Sequence, residues 1–132
     1  MSRLQIAVVI VVLSISGTDA RAEHADCLEL HAAAYMDEPG ELIDSIRHGA
    51  DIECRDAIYQ TPLITATDGA SFSVFSILLA RGADIHARDE IGETALDKAR
   101  KKLAFFDIQG GEIYYDIYQR MIEMLIAASA NR

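Results

Sequence analysis

The sequence predicts an all-α repeat fold: a solenoid of about three helix-turn-helix units joined by short β-hairpin loops, the third unit carrying an insertion. Two observations carry this. His48-Gly49-Ala50-Asp51-Ile52 recurs 33 residues later as Arg81-Gly82-Ala83-Asp84-Ile85, and a fixed period of that size marks stacked units rather than a closed core. Within one period the apolar residues fall into two helical runs, divided and followed by turn-forming composition.

The middle unit is the clearest. Thr61-Pro62-Leu63 opens a run that includes Ile64 and Ala66. Proline suits the first turn of a helix, because its missing N–H would have had no partner there. Asp68-Gly69-Ala70 ends that run as a turn. Val74, Phe75, Ile77, Leu78 and Leu79 then share one face of a second helix, which Gly82 closes with a left-handed cap. An extended hairpin follows.

Thr61-Pro62-Leu63, the run Leu78-Leu79-Ala80-Arg81-Gly82-Ala83-Asp84 and the interval between them match the ankyrin-repeat consensus without gaps. The chain resembles that family from about Asp26 to its end. The resemblance implies a first repeat with Leu30-His31-Ala32-Ala33-Ala34 as inner helix and Leu42, Ser45 and Ile46 as outer-helix core positions. Leu28-Glu29 stand there in place of Thr-Pro, a departure that a terminal repeat tolerates because one side faces solvent. The third repeat opens with Asp89, Gly92, Thr94, Ala95 and Leu96, and its outer helix reads Met121-Ile122-Glu123-Met124-Leu125-Ile126. Ser129 lies 35 residues after Thr94, whereas Gly82 lies 21 after Thr61, so fourteen extra residues separate its helices. Six helices are expected near 28–36, 40–48, 62–69, 72–81, 95–106 and 113–128, with Asp107-Ile108-Gln109-Gly110-Gly111 as a loop. The repeats would run about 28–60, 61–93 and 94–132 within a domain of residues 23–132.

Residues 1–22 read as a cleaved secretory signal. Arg3 precedes an apolar core from Ile6 to Ile15, and Ala20-Arg21-Ala22 offers the small-x-small ending that favours a cut before Glu23. A cut after Ala20 is the second choice. The core is shorter than the ~20 apolar residues a membrane span needs. The reading implies export to the periplasm and no membrane association after cleavage. The whole chain carries a net charge of −9. Residues 1–22 contribute +1 through Arg3, Arg21 and Asp19, so the exported part would carry −10. Such a balance repels nucleic-acid backbones and anionic lipid and steers basic partners inward.

Two cysteines, Cys27 and Cys54, accompany that expected oxidising destination, and an even count there suggests a disulfide. Two free buried thiols are the alternative. In the repeat frame both lie at the hairpin end of adjoining layers, which favours the bridge.

Reactive constellations are scarce. The four histidines, His24, His31, His48 and His86, show no i, i+4 pairing among themselves, and Cys-x-x-Cys is absent. The family resemblance assigns His31 to a structural position that bonds backbone of the adjacent layer. There is no Gly-x-Ser-x-Gly elbow and no phosphate loop. The carboxylate clusters Asp37, Glu38, Glu41, Asp44 and Asp89, Glu90, Glu93 read as solvated surface rather than as a catalytic pair. The expectation is therefore no enzyme, no cofactor and no metal.

What the resemblance implies is protein binding on a concave face made of hairpin tips and inner helices. Positions left free by the repeat pattern are Arg55, Ala57, Ile58, Tyr59 and Gln60 in one tip, and Arg88, Glu90, Ile91 and Glu93 in the next. On the inner-helix ends they are Tyr35, Met36, Asp68, Lys101 and Lys102. Tyr59 stands where the family has a turn glycine, so either the turn is reshaped or the ring serves as an aromatic anchor. Tyr114 and Tyr115, with neighbouring Phe105 and Phe106, read either as a cover over the last repeat or as a binding knob. The functional expectation is a monomeric periplasmic inhibitor or immunity protein that binds a basic exported enzyme or toxin. A non-inhibitory scaffold or accessory factor for an exported redox enzyme is the alternative.

Overall fold

The computed structural model describes residues 26–131; the expected signal segment, with His24, lies outside them. Among the described residues there are six helices. These are α1 (26–36), α2 (Pro39–Arg47), α3 (Pro62–Asp68), α4 (Phe72–Ala80), α5 (Ala95–Gln109) and α6 (Glu112–Asn131). They form three successive helix pairs, α1·α2, α3·α4 and α5·α6. One row runs through α1, α3 and α5, and the other through α2, α4 and α6, with α3 against α5 and α4 against both α2 and α6.

The rows meet in one apolar core. Leu30, Ala33 and Ala34 come from α1, Leu63, Ile64 and Ala66 from α3, and Ala95 and Ala99 from α5. The second row contributes Leu42, Val74, Phe75, Leu78, Tyr118, Met121 and Leu125. Alanines along the first row let its helices approach closely. The turn after α3 is closer still. A Cβ on Gly69 would sit 2.6 Å from the Tyr35 carbonyl oxygen, so only glycine fits there.

Helix ends follow local chemistry in two cases. Thr61 caps α3 by accepting the Ile64 amide at 3.4 Å. Thr94 and Asp97 form a reciprocal capping box on α5. The start of α4 is different. Ser71 holds the N-cap position but donates its hydroxyl to the Tyr35 carbonyl at 2.8 Å. The amide that it would have capped, on Val74, donates instead to Asp37 Oδ1 at 2.9 Å. Asp37 reaches there from a left-handed backbone at φ 55°, a conformation aspartate tolerates better than most residues.

Two expectations are corrected. No strand forms among the described residues, so the β-hairpin loops are absent, and the ankyrin-solenoid assignment gives way to an all-α stack of helix pairs. The reason lies in two aspartates. Asp56 Oδ1 accepts the amides of Ile58 at 3.1 Å and Gln60 at 2.8 Å, and Asp89 Oδ1 accepts those of Ile91 at 3.1 Å and Glu93 at 2.9 Å. A carboxylate that takes these N–H groups closes a turn locally and leaves too few amides for a ladder. Second, the expected loop 107–111 is mostly helix. α5 continues to Gln109 and stops at Gly110, whose φ of 79° provides the left-handed cap.

The long α5·α6 pair is sealed by aromatic rings. Phe106 stacks on Tyr114 at 4.7 Å and on Tyr118 at 6.0 Å, centroid to centroid. Tyr118 is 1% exposed, and its hydroxyl donates to the Asp68 carbonyl at 3.3 Å, joining α6 to the end of α3. Burial first, then the Asp68 carboxylate, pushes its phenol above the usual tyrosine range. No helix among the described residues is long and apolar enough to cross a membrane.

Candidate protein-binding surface

Two loops, residues 51–61 and 84–94, join the helix pairs and lie side by side. The Glu90 amide donates to the Ile58 carbonyl at 3.2 Å, and the Asp84 amide to Glu53 Oε1 at 2.8 Å. Arg55 ties them further: its guanidinium donates to the carbonyls of Tyr59 at 2.8 Å and Arg88 at 2.6 Å. With their backbones locked together, the loop tips present Ile58 (51% exposed), Tyr59 (57%) and Ile91 (68%) to solvent.

Tyr59 keeps the turn that a glycine would make. Its φ is 62°, against 82° at Gly92 in the matching position of the second loop. The Arg55 guanidinium lies over its ring at 4.4 Å, a cation–π contact that offsets part of the left-handed cost.

Beside the second loop, a cleft of about 310 Å³ opens between α3 and α5. Asp68 and Glu93 line it, with Lys98, Lys101 and Lys102 and the rings of Phe105 and Phe106. Each lysine is paired: Lys98 with Asp89 at 3.1 Å, Lys101 with Glu93 at 2.9 Å and Lys102 with Asp68 at 3.4 Å. Lys101 and Lys102 follow Lys98 by one turn of α5, so one helix face meets three carboxylates. Glu93 Oε1 meets Lys101, while Oε2 is buried without a hydrogen-bond partner. Burial alone would raise the pKa of Asp89, but the Glu93 amide, the Lys98 ammonium and the Ile91 amide together hold it below its ordinary value.

Nine of the expected contact residues fall into two sets. Ile58, Tyr59, Arg88, Glu90 and Ile91 meet at the loop tips, and Asp68, Glu93, Lys101 and Lys102 meet in the cleft. The two sets adjoin at Glu93. Tyr35 and Met36 are exposed at the end of α1, away from the loop tips in sequence, and Ala57 is exposed beside the disulfide. Arg55 is half-buried and acts as the tie between loops. Tyr114 is engaged in the ring stack, and Tyr115 is half-buried in a shallow depression with Asp107, Glu112 and Asp116. Gln60 is corrected: it is only 4% exposed, because Thr65 Oγ1 approaches its side-chain oxygen at 3.4 Å inside the stack.

Cys27 and Cys54 form a disulfide, with Cα atoms 6.0 Å apart, that fastens α1 to the first loop. His31 lies on the same side of α1 one turn on. Its Nε2 meets the Cys54 carbonyl at 3.0 Å and its Nδ1 the Thr65 hydroxyl at 2.8 Å. Sequence reasoning compared histidines only with one another and so passed over Cys27-x-x-x-His31, an i, i+4 spacing visible in the sequence. Lys98 was missed as well; its signal is that it falls one turn before Lys101 and Lys102.

No family model matches the chain, and no curated protein matches it significantly.

Proposed function

We propose that this chain is a protein-binding module that blocks a basic exported enzyme or toxin. The observation that carries the reading is the continuity of the apolar tips Ile58, Tyr59 and Ile91 with the α3/α5 cleft through Glu93. An exposed apolar group next to a rim of polar and charged residues is the anatomy of a recognition surface. Rigid tips also reduce the ordering cost of association. The overall charge of −9 favours a basic partner.

The test is capture from the exported fraction of the source cells, followed by an activity assay on the captured protein. A basic enzyme that the chain inhibits, and that escapes the double variant Ile58→Asp/Ile91→Asp, supports the reading. A captured enzyme that keeps full activity would make the chain an accessory factor. Equal capture by the double variant would remove this surface from the account.

A further inference from the structure

The disulfide and His31 together carry an inference that is independent of the binding surface. The donor atoms of Cys27, His31 and Cys54 all lie within 4.8 Å of one another. Two sulfurs and one imidazole nitrogen are the donor set that zinc accepts, with three protein ligands leaving a fourth position open. The spacing is compatible with either state, since cysteines with Cα atoms 6.0 Å apart can bridge directly or share an ion.

The surroundings favour an exchangeable site. Both cysteines are half-buried, and a cavity opens on either side of the bridge. One, of about 320 Å³, is lined by Asp26, Cys27, Gly49, Ala50, Asp51 and Cys54. The other, of about 250 Å³, is lined by Cys27 together with Leu28, His31 and Asp56. A reductant and then an ion can therefore approach without unfolding the stack. The imidazole already has an orienting partner. Thr65 Oγ1 sits 2.8 Å from Nδ1, Gln60 Oε1 lies 3.4 Å beyond it, and Asp56 Oδ2 stands 3.9 Å from Nδ1. Hydroxyl and carboxylate groups behind one ring nitrogen are what fixes the other as a metal ligand.

We propose that opening the Cys27–Cys54 disulfide turns this cluster into a zinc site, so that the chain exchanges a covalent staple for a metal one according to redox state. A dithiol supplies two electrons and two protons, leaving as its own disulfide and giving the Cys27 and Cys54 thiols. Zinc then binds both sulfurs as thiolates and His31 through Nε2, releasing two protons to solvent. The imidazole stays neutral: Nε2 gives up its proton and the Cys54 carbonyl, and Nδ1 takes a proton and donates it toward Thr65. Thr65 is a positioning residue, and water completes the coordination.

The experiment uses the whole chain, oxidised and phosphine-reduced, titrated with zinc and with cobalt(II) as a spectroscopic probe. The reduced chain is expected to take one equivalent, release two protons, and show thiolate-to-cobalt charge transfer with tetrahedral ligand-field bands. The oxidised chain takes none. His31→Ala should change the cobalt spectrum, and Thr65→Val should weaken binding about tenfold while keeping the spectrum. Circular dichroism follows folding throughout, with Cys27→Ser/Cys54→Ser as the unbridged reference. If the reduced chain loses structure, zinc should restore it in the native sequence and not in the serine variant. Reduced chain that neither binds nor refolds with zinc, or a His31→Ala spectrum identical to the native one, would overturn the proposal.

Discussion

Residues 51–61 and 84–94 occupy the same place in successive units, and their backbones close in the same way. In each, the first aspartate accepts the amide two residues on, Asp51 from Glu53 and Asp84 from His86, both at 2.9 Å. The second aspartate accepts two more, and the arginine before it donates to the carbonyl four residues on. They differ in what holds them to the helices. Asp56 faces His31, behind it on α1, and its loop carries Cys54 and the disulfide. Asp89 faces Lys98, ahead of it on α5, and the position matching Cys54 is Ala87, which is simply buried. One loop is stapled backward by covalent and polar bonds; the other is clamped forward by lysines. A repeated backbone can thus be anchored through different neighbours, because the turn is closed within itself and needs only one further attachment.

The largest expected break in this comparison is the covalent one. Cys27→Ser/Cys54→Ser should cost about 3 kcal/mol by the chain-entropy argument for a loop of this length. Denaturant unfolding with a chelator present measures it. A loss under about 1 kcal/mol would mean that Asp56 and His31 hold the first loop without help.

The two aspartates should then differ. Asp89→Ala removes the acceptor of two backbone amides, those of Ile91 and Glu93, and strands a nearly buried Lys98, at about 2–3 kcal/mol. Asp56→Ala, in a loop kept by the disulfide, should cost about 1 kcal/mol. Equal losses in thermal unfolding would refute the difference in anchoring.

Acid sharpens the same contrast. The folded pKa of Asp89 lies below 3.8, and that of Asp97 is lowered too, first by the Thr94 amide. A depressed carboxylate contributes stability that is present above its unfolded pKa and lost as pH falls through the folded value. The melting temperature should therefore fall below about pH 4, less steeply in Asp89→Asn. A slope unchanged by that substitution would exclude Asp89 as its source.

The smallest effects belong to the tips. Gly92→Ala meets no atom within 4 Å but keeps φ at 82°, so the cost is that of the backbone alone, about 1 kcal/mol. Tyr59→Gly relieves a similar strain while giving up the Arg55 stack, for a net change within about 0.5 kcal/mol. Stabilisation by more than that amount would show that the stack contributes little and that the ring is kept for contact.

Much of the fold is legible in the residues. The Thr-Pro opening of α3, the Thr94–Asp97 box of α5 and the apolar faces of α4 and α6 act over one or two helical turns, so their pattern survives in one dimension. The tips were legible too, since Ile58 and Ile91 are apolar where the repeat leaves a free position. The hairpins were not. Whether Asp56 and Asp89 cap their own loops or sit beside a ladder depends on which acceptor reaches the amides first, and the composition suits both. Gln60 was misplaced for a similar reason: a polar residue at a loop end becomes interior only once Thr65 on α3 offers it a polar neighbour.

The 33-residue period, the helices and their local caps were determined by the sequence alone, because each rests on interactions between near neighbours in the chain. Tertiary structure alone decided that Asp37 caps α4 across 37 residues, that three lysines of α5 meet carboxylates from two other segments, and that His31 closes on both cysteines. Each of these needs atoms from different layers within a few ångströms. Only packing of the layers sets such distances: spacing along the chain puts Cys27 and His31, or the three lysines, on one helix face, but does not bring Cys54 or the carboxylates to them.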